Sequence, residues 1–334
     1  MNLNTTAKDS SSKNVSTLTF GAAKETNEVI LVGRKGILSA AITKLFIGAE
    51  YEDDALNLNL KIVDAMLESI KDSGTATTFL PPVGDKVPPI KLTLIVLPSR
   101  DKISRNNHPF SPHKLTDMLN DYGLQAASKD MIIQITVIDE NIIEYACCVA
   151  AAIAKTLPLY HSNSSTKDSN SRKRKDREED ETESNNIQFP GIGGVNVTYW
   201  DKDRIPADSP LYKSAQVVAD RLRFSAKLGD MPPAELNPTK YSEICNGIYK
   251  GLKHDGANVT FQEIVGEELK EKGYGGIYGV GMAAQEPPRM IVMTYTPDGN
   301  VEEHVALCGK GVIYDTGGLS LKPKVGMCGM KHDM

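Results

Sequence analysis

Three short runs, at 28–34 (EVILVGR), 91–98 (KLTLIVLP) and 131–138 (MIIQITVI), are almost unbroken in aliphatic and β-branched residues. A strand apolar on both faces has no side to show to water, so each belongs inside a sheet covered above and below. The segments between them supply the covers. Residues 55–70 (ALNLNLKIVDAMLESI) and 140–155 (ENIIEYACCVAAAIAK) repeat apolar residues at spacings of three and four, and the second is apolar around most of its circumference. Strand and helix patterns in alternation specify an α/β layered fold.

The pattern also divides the chain. Residues 1–25 read as a polar tail and 26–202 as an N-terminal α/β domain that ends on the strand-like GGVNVTYW. Within this domain, 161–186 (HSNSSTKDSNSRKRKDREEDETESNN) has no aliphatic or aromatic residue and is expected to be a disordered, charged insertion. Its RKRK is followed at once by acidic residues that cancel much of the field, so nucleic acid is not the expected partner. Residues 203–230 are expected to form a linker helix started by Ser209 and Pro210, with Leu211, Ala215, Val218 and Leu222 on one face. From 231 to 334 a second α/β domain is expected. Asn237 and Pro238 start a helix, ANVTFQEI is a strand, and RMIVMTY and EHVALCG flank the TPDGN turn as a hairpin.

Composition narrows the function classes. The chain has 334 residues, 40% of them hydrophobic, and a net charge of −5. Its polar start lacks a secretory h-region, and no run reaches the length of a membrane span, so a cytoplasmic protein is expected. Five cysteines without a CxxC pair argue against a disulfide framework or a thiolate zinc site. The six histidines form no HExxH, and no GxSxG is present, so zincin and serine-hydrolase chemistry lack support. GVGMAA at 279–284 matches a dinucleotide fingerprint only in letters, because Pro287 and Pro288 forbid the helix that must follow; the surrounding GYGGIYGVG reads as a close-packed glycine turn.

One stretch carries chemistry. In GKGVIYDTGGLSLKPKVGMCGMKHDM (309–334), Asp315 follows an apolar VIY and precedes two glycines, as a carboxylate delivered by a strand to a turn. Lys310, Lys322 and Asp333 lie at hand, offering oxygen ligands and amines instead of imidazoles. The residues alone leave two readings open: an exposed turn with salt bridges, or a cation site.

GKGVIYDTGGLSLKP followed by MKHDM resembles the signature of the leucyl (cytosol) aminopeptidase family. Asp315, Lys322 and Asp333 follow Lys310 at offsets of 5, 12 and 23 residues, matching that pattern without a gap. The likeness extends through GGIYGVGMAAQEPP, TYTPDG and LNPTKYSEI, and more weakly through LPSRDKISRNNHPFS, and is nearest to the family's aminopeptidase-like branch.

The resemblance implies a metallopeptidase that removes N-terminal residues from peptides with a free N-terminus. Its catalytic domain would be a doubly wound α/β sheet whose first part is 231–334. Two divalent ions, zinc or manganese with magnesium or cobalt as alternatives, would activate water. Lys310, Asp315 and Asp333 would be metal ligands, with Asp315 bridging both ions. Lys322 would bind the substrate carbonyl and its oxyanion, and Met330 would line the pocket for the first side chain. A bicarbonate base and a homo-hexamer are implied for the full-length enzyme.

The family's remaining Glu and Asp ligands and its bicarbonate-holding Arg lie in an N-T-D-A-E-G-R segment beyond residue 334. The expectation is therefore a fragment of a longer enzyme. The alternatives are a truncated, catalytically silent subunit, or a module that binds nucleic acid or a partner protein through its N-terminal half. A purified chain of these 334 residues is expected to hydrolyse leucyl-p-nitroanilide far below rates typical of the family; turnover at such rates would refute this.

Overall fold

The computed structural model describes residues 17–21, 26, 28–47, 54–82, 89–99, 112–124, 132–160 and 194–333. The charged insertion at 161–186, most of the N-terminal tail and Met334 lie outside the described residues. The described residues up to Ala226 form one compact unit and Lys227 onward a second.

The first unit holds strands β1 (Thr17–Phe20), β2 (Glu28–Arg34), β3 (Gly74–Leu80), β4 (Ile90–Leu97), β5 (Ile132–Ile138) and β6 (Gly194–Trp200), with helices α1 (Lys35–Ile47), α2 (Asp54–Ser69), α3 (Pro112–Asp121) and α4 (Ile142–Lys155). The strands form one sheet in the order β1-β6-β5-β2-β4-β3. All neighbours are parallel except β3 and β4. Alternation along the strands sorts side chains onto two faces. Ile30, Val32, Ile95, Ile135 and Val197 pack in one core with Leu115 and Leu119 of α3 and Ala146 and Val149 of α4. Leu31, Leu92, Leu94 and Val96 meet Leu38 and Ile42 of α1 and Val63 and Leu67 of α2 on the other. The mixed α/β architecture is that expected from the apolar runs, and the structure adds that the pairing is predominantly parallel.

The tail differs from expectation at its end. Thr17–Phe20 is an edge strand paired with β6, and Leu18 is buried in the core. Four residues are too few to show a period, so the pairing is decided by the neighbouring strand.

Helix α5 (Pro210–Asp230) starts where Ser209 and Pro210 place it, with the Leu211 N–H reaching the Ser209 hydroxyl at 3.4 Å. Its buried face is Tyr212, Ala215, Ala219 and Arg223, turned from the expected stripe, in which only Ala215 is fully buried. The Tyr212 hydroxyl explains this rotation. It accepts from the Tyr199 N–H at 2.8 Å while the two rings stack at 5.3 Å, so a polar tip selects the face. The boundary between the units falls within the last turns of α5.

In the second unit, α6 (Pro238–His254) is capped by Asn237, whose side chain accepts from the Lys240 N–H at 2.8 Å. Then follow β7 (Val259–Val265), α7 (Glu267–Glu271), α8 (Gly275–Gly281), β8 (Arg289–Tyr295) and α9 (Lys324–Met327). Among the described residues, the sheet of this unit is the two-stranded antiparallel pair β7-β8. The glycine turn expected at 273–281 is instead largely the short helix α8. Close packing is confined to Gly281, where a Cβ would lie 2.4 Å from Pro288 Cβ. No helix of the described residues is long and apolar enough to cross a membrane.

At the carboxyl ends of the central strands, Arg34 of β2 pairs with Asp139, just past β5, at 2.5 Å. The Asp139 side chain is fully buried, and its other oxygen accepts from the Asn141 N–H at 2.9 Å, ahead of α4. Removing one partner of such a pair leaves an uncompensated charge in the interior. Asp139→Ala is expected to lower the stability of this unit by about 3 kcal/mol in urea unfolding followed by circular dichroism. A loss below about 1 kcal/mol would show that the pair does not hold these strand ends.

Candidate metal centre

The route to the site is not the expected hairpin. β8 pairs with β7, from Val259 opposite Tyr295 to Val265 opposite Arg289. Past the bend at Gly299, residues 301–312 form neither helix nor strand and have no ladder partner among the described residues. The apolar letters of EHVALCG suggested a strand, but a strand needs a neighbour for its N–H and C=O groups and cover for its side chains. Val305 and Leu307 have neither and are 82% and 95% exposed. Asp315 is therefore reached from a segment without sheet pairing among the described residues, not from a sheet strand.

Asp315 opens a tight bend. Its carboxylate accepts the Gly317 N–H at 2.9 Å, and the Lys322 N–H closes the loop on the Thr316 carbonyl at 2.9 Å. Gly317 and Gly318 have φ of 86° and 69°, a conformation strained for any other residue. A Cβ at Gly317 would also lie 2.6 Å from the Ser320 oxygen. The chain then passes α9 and a left-handed Gly329 into a single 3-10 turn, Met330–His332, which sets down Asp333. The Asp315 N–H donates to the Met330 carbonyl at 3.3 Å, tying the two ends together.

All five residues named from the sequence meet here. Lys310 Nζ donates to Asp333 Oδ2 and stands 3.9 Å from Asp315 Oδ2. Lys322 Nζ lies 2.8 Å from the same Asp315 oxygen and 2.9 Å from Met330 Sδ. The Lys322 ammonium and the Gly317 N–H hold the Asp315 carboxyl down at about 2. The hydrogen bond to Asp333 raises the pKa of Lys310. Each charged side chain keeps between 28% and 54% of its surface in solvent, leaving the cluster open to a ligand.

Among the described residues, no three His, Cys, Asp or Glu gather closely enough to hold a metal. A divalent ion would therefore need the Lys310 nitrogen beside the Asp315 and Asp333 oxygens. The residues present fit such an ion: two carboxylates converge on one amine, and its ammonium supplies the positive charge they require. A cleft of about 280 Å³ beside Arg34, Lys35 and Leu97 lies in the first unit, where Arg34 is already taken by Asp139 and Glu140. Sequence reasoning missed two features: the Gly317 amide, and the contacts of Lys331 and His332 with Asp230. No side-chain pattern announces a main-chain donor, and Asp230 is distant in sequence.

Residues 223–334 match the model of the cytosol aminopeptidase family, catalytic domain. The human probable aminopeptidase NPEPL1 is 32% identical over 241 residues, covering 72% of this chain and 40% of that protein. A probable cytosol aminopeptidase of Pseudomonas fluorescens is 41% identical over 124 residues, 36% of this chain and 23% of that protein. The leucyl aminopeptidase of Trypanosoma brucei, solved with bestatin, superposes with a TM-score of 0.69 at 26% identity, over 96% of this chain and 56% of that one. The chain thus spans less than half the length of these curated relatives. With the signature residues gathered in one cluster inside the matched segment, residues 223–334 carry the catalytic-domain likeness to the cytosol aminopeptidase family.

Proposed function

We propose that the cluster is part of the active site of a dinuclear metal-dependent aminopeptidase, acting on peptides with a free N-terminus. The observation that carries this reading is the meeting of Lys310, Asp315, Lys322 and Asp333, drawn from both ends of a glycine-rich segment and linked one to the next by charge contacts no longer than 3.9 Å. Lys310, Asp315 and Asp333 are assigned as ligands, with Asp315 shared between two ions. When bound, the ions would supply Lewis acidity for the attacking water.

The side chains have separable tasks. Lys310 ligates only as the neutral amine, so a cation and a proton compete for the same nitrogen. As the ammonium, it holds Asp333 close and offsets the charge of the two carboxylates. Lys322 carries three N–H donors. Asp315 and Met330 take two of them, and we assign the third to the substrate carbonyl, where negative charge grows in the transition state. The Asp315 carboxylate, 2.8 Å away, holds this amine at the site. Met330 places its thioether against that amine and would border the first side chain of the substrate. A cytoplasmic location accompanies this reading, supported by the family's description as cytosol aminopeptidases, and a homo-hexamer is proposed with it.

Substitutions in the full-length natural protein separate ligand from oxyanion donor. Asp315→Ala is expected to abolish zinc or manganese uptake in calorimetry. Lys322→Ala should keep the uptake but lower kcat on leucyl-p-nitroanilide roughly 10²- to 10³-fold. Uptake that persists without Asp315, or turnover indifferent to Lys322, would refute the assignment.

A further inference from the structure

The turn that carries Met330 and Asp333 has a second face. Its other two side chains, Lys331 and His332, reach the last residue of α5 within the same compact unit. Lys331 Nζ donates to the Asp230 carbonyl at 2.8 Å, and His332 Nε2 lies 3.3 Å from Asp230 Oδ1. The helix end offers what a lysine side chain needs, because its last carbonyls lack intrahelical partners and carry the negative end of the dipole. Gly229 lies beside the imidazole, where an added Cβ would make an ordinary van der Waals contact with His332 Cδ2 at 3.7 Å.

We propose that Asp230 is a positioning residue of the metal centre, holding the 330–332 turn, and with it the Asp333 carboxylate and the Met330 thioether, without touching either. The inference rests on the metal reading above. The turn has little means of holding itself. It is three residues long, closed by the His332 N–H on the Gly329 carbonyl at 2.9 Å, and none of its residues is buried. One 3-10 turn of this kind is marginal alone. It is gripped from the cluster side by Asp315 and Lys322, through Met330. From the other side the grip is Asp230, used twice, through its main chain and its carboxylate. Loosening the second grip frees Asp333 to move relative to Lys310.

The test is metal affinity of the full-length protein, measured by calorimetry with zinc or manganese alone. Asp230→Ala is expected to weaken the Kd roughly tenfold, as loss of an outer partner does at other metal sites. His332→Ala should do the same, and the double variant should be no worse than either. Asp230→Asn keeps the acceptor oxygen and should retain wild-type affinity. Thermal melts followed by circular dichroism identify variants that fail to fold; should Asp230→Ala be among them, His332→Ala decides. Wild-type Kd in folded Asp230→Ala and His332→Ala, or Asp230→Asn as weak as Asp230→Ala, overturns the proposal while uptake through Asp315 stands. A wild-type protein that takes up no metal, or an Asp315→Ala variant that still does, overturns the metal reading and this inference with it.

Discussion

The candidate site depends on one carboxylate. Asp315 accepts from Lys322 through one oxygen and from the Gly317 amide through the other, with Lys310 3.9 Å away. Each contact favours the ionised form, and together they hold the carboxyl well below the usual aspartate range. An ionised Asp315 brings two lysines to one bend, and the second lysine brings Asp333. Without it, the two ammonium groups, both within 3.9 Å of the same Asp315 oxygen, would lose the charge that holds them together. The glycines serve the same bend: Gly317 donates its N–H to Asp315 and takes a left-handed φ that a Cβ would strain.

Charge is handled differently in the first unit. Arg34 and Asp139 are buried at the ends of parallel strands, where the pair fixes geometry and is shielded from ligands. The lysines and carboxylates of the second unit retain solvent contact and can exchange one partner for another. Burial distinguishes a structural ion pair from an exchangeable one, and by that measure the cluster at 310–333 is the one suited to chemistry.

Much of this was legible in residue letters. The runs at 28–34, 91–98 and 131–138 form β2, β4 and β5 almost to the residue, because strands covered on both faces are apolar throughout. The edge strand β3 was not legible, since GTATTFL alternates between exposed and half-buried positions and leaves Phe79 71% exposed. Helix α1 follows β2 without a break, so no cap or turn residue marked where strand became helix. EHVALCG has the letters of a strand and forms none, because strand character is a property of a pair.

The sequence by itself determined the α/β class, the strands covered on both faces and the residues named for the candidate site, because local periodicity and exact spacing are written in one dimension. Tertiary structure alone decided that β8 pairs with β7, that Tyr212 turns α5 onto β6, and that Asp230 grips the turn beside Asp333. Each of these depends on which distant group satisfies a hydrogen bond or covers an apolar face. That choice is made among all available partners in three dimensions, and neither residue of a pair records it alone.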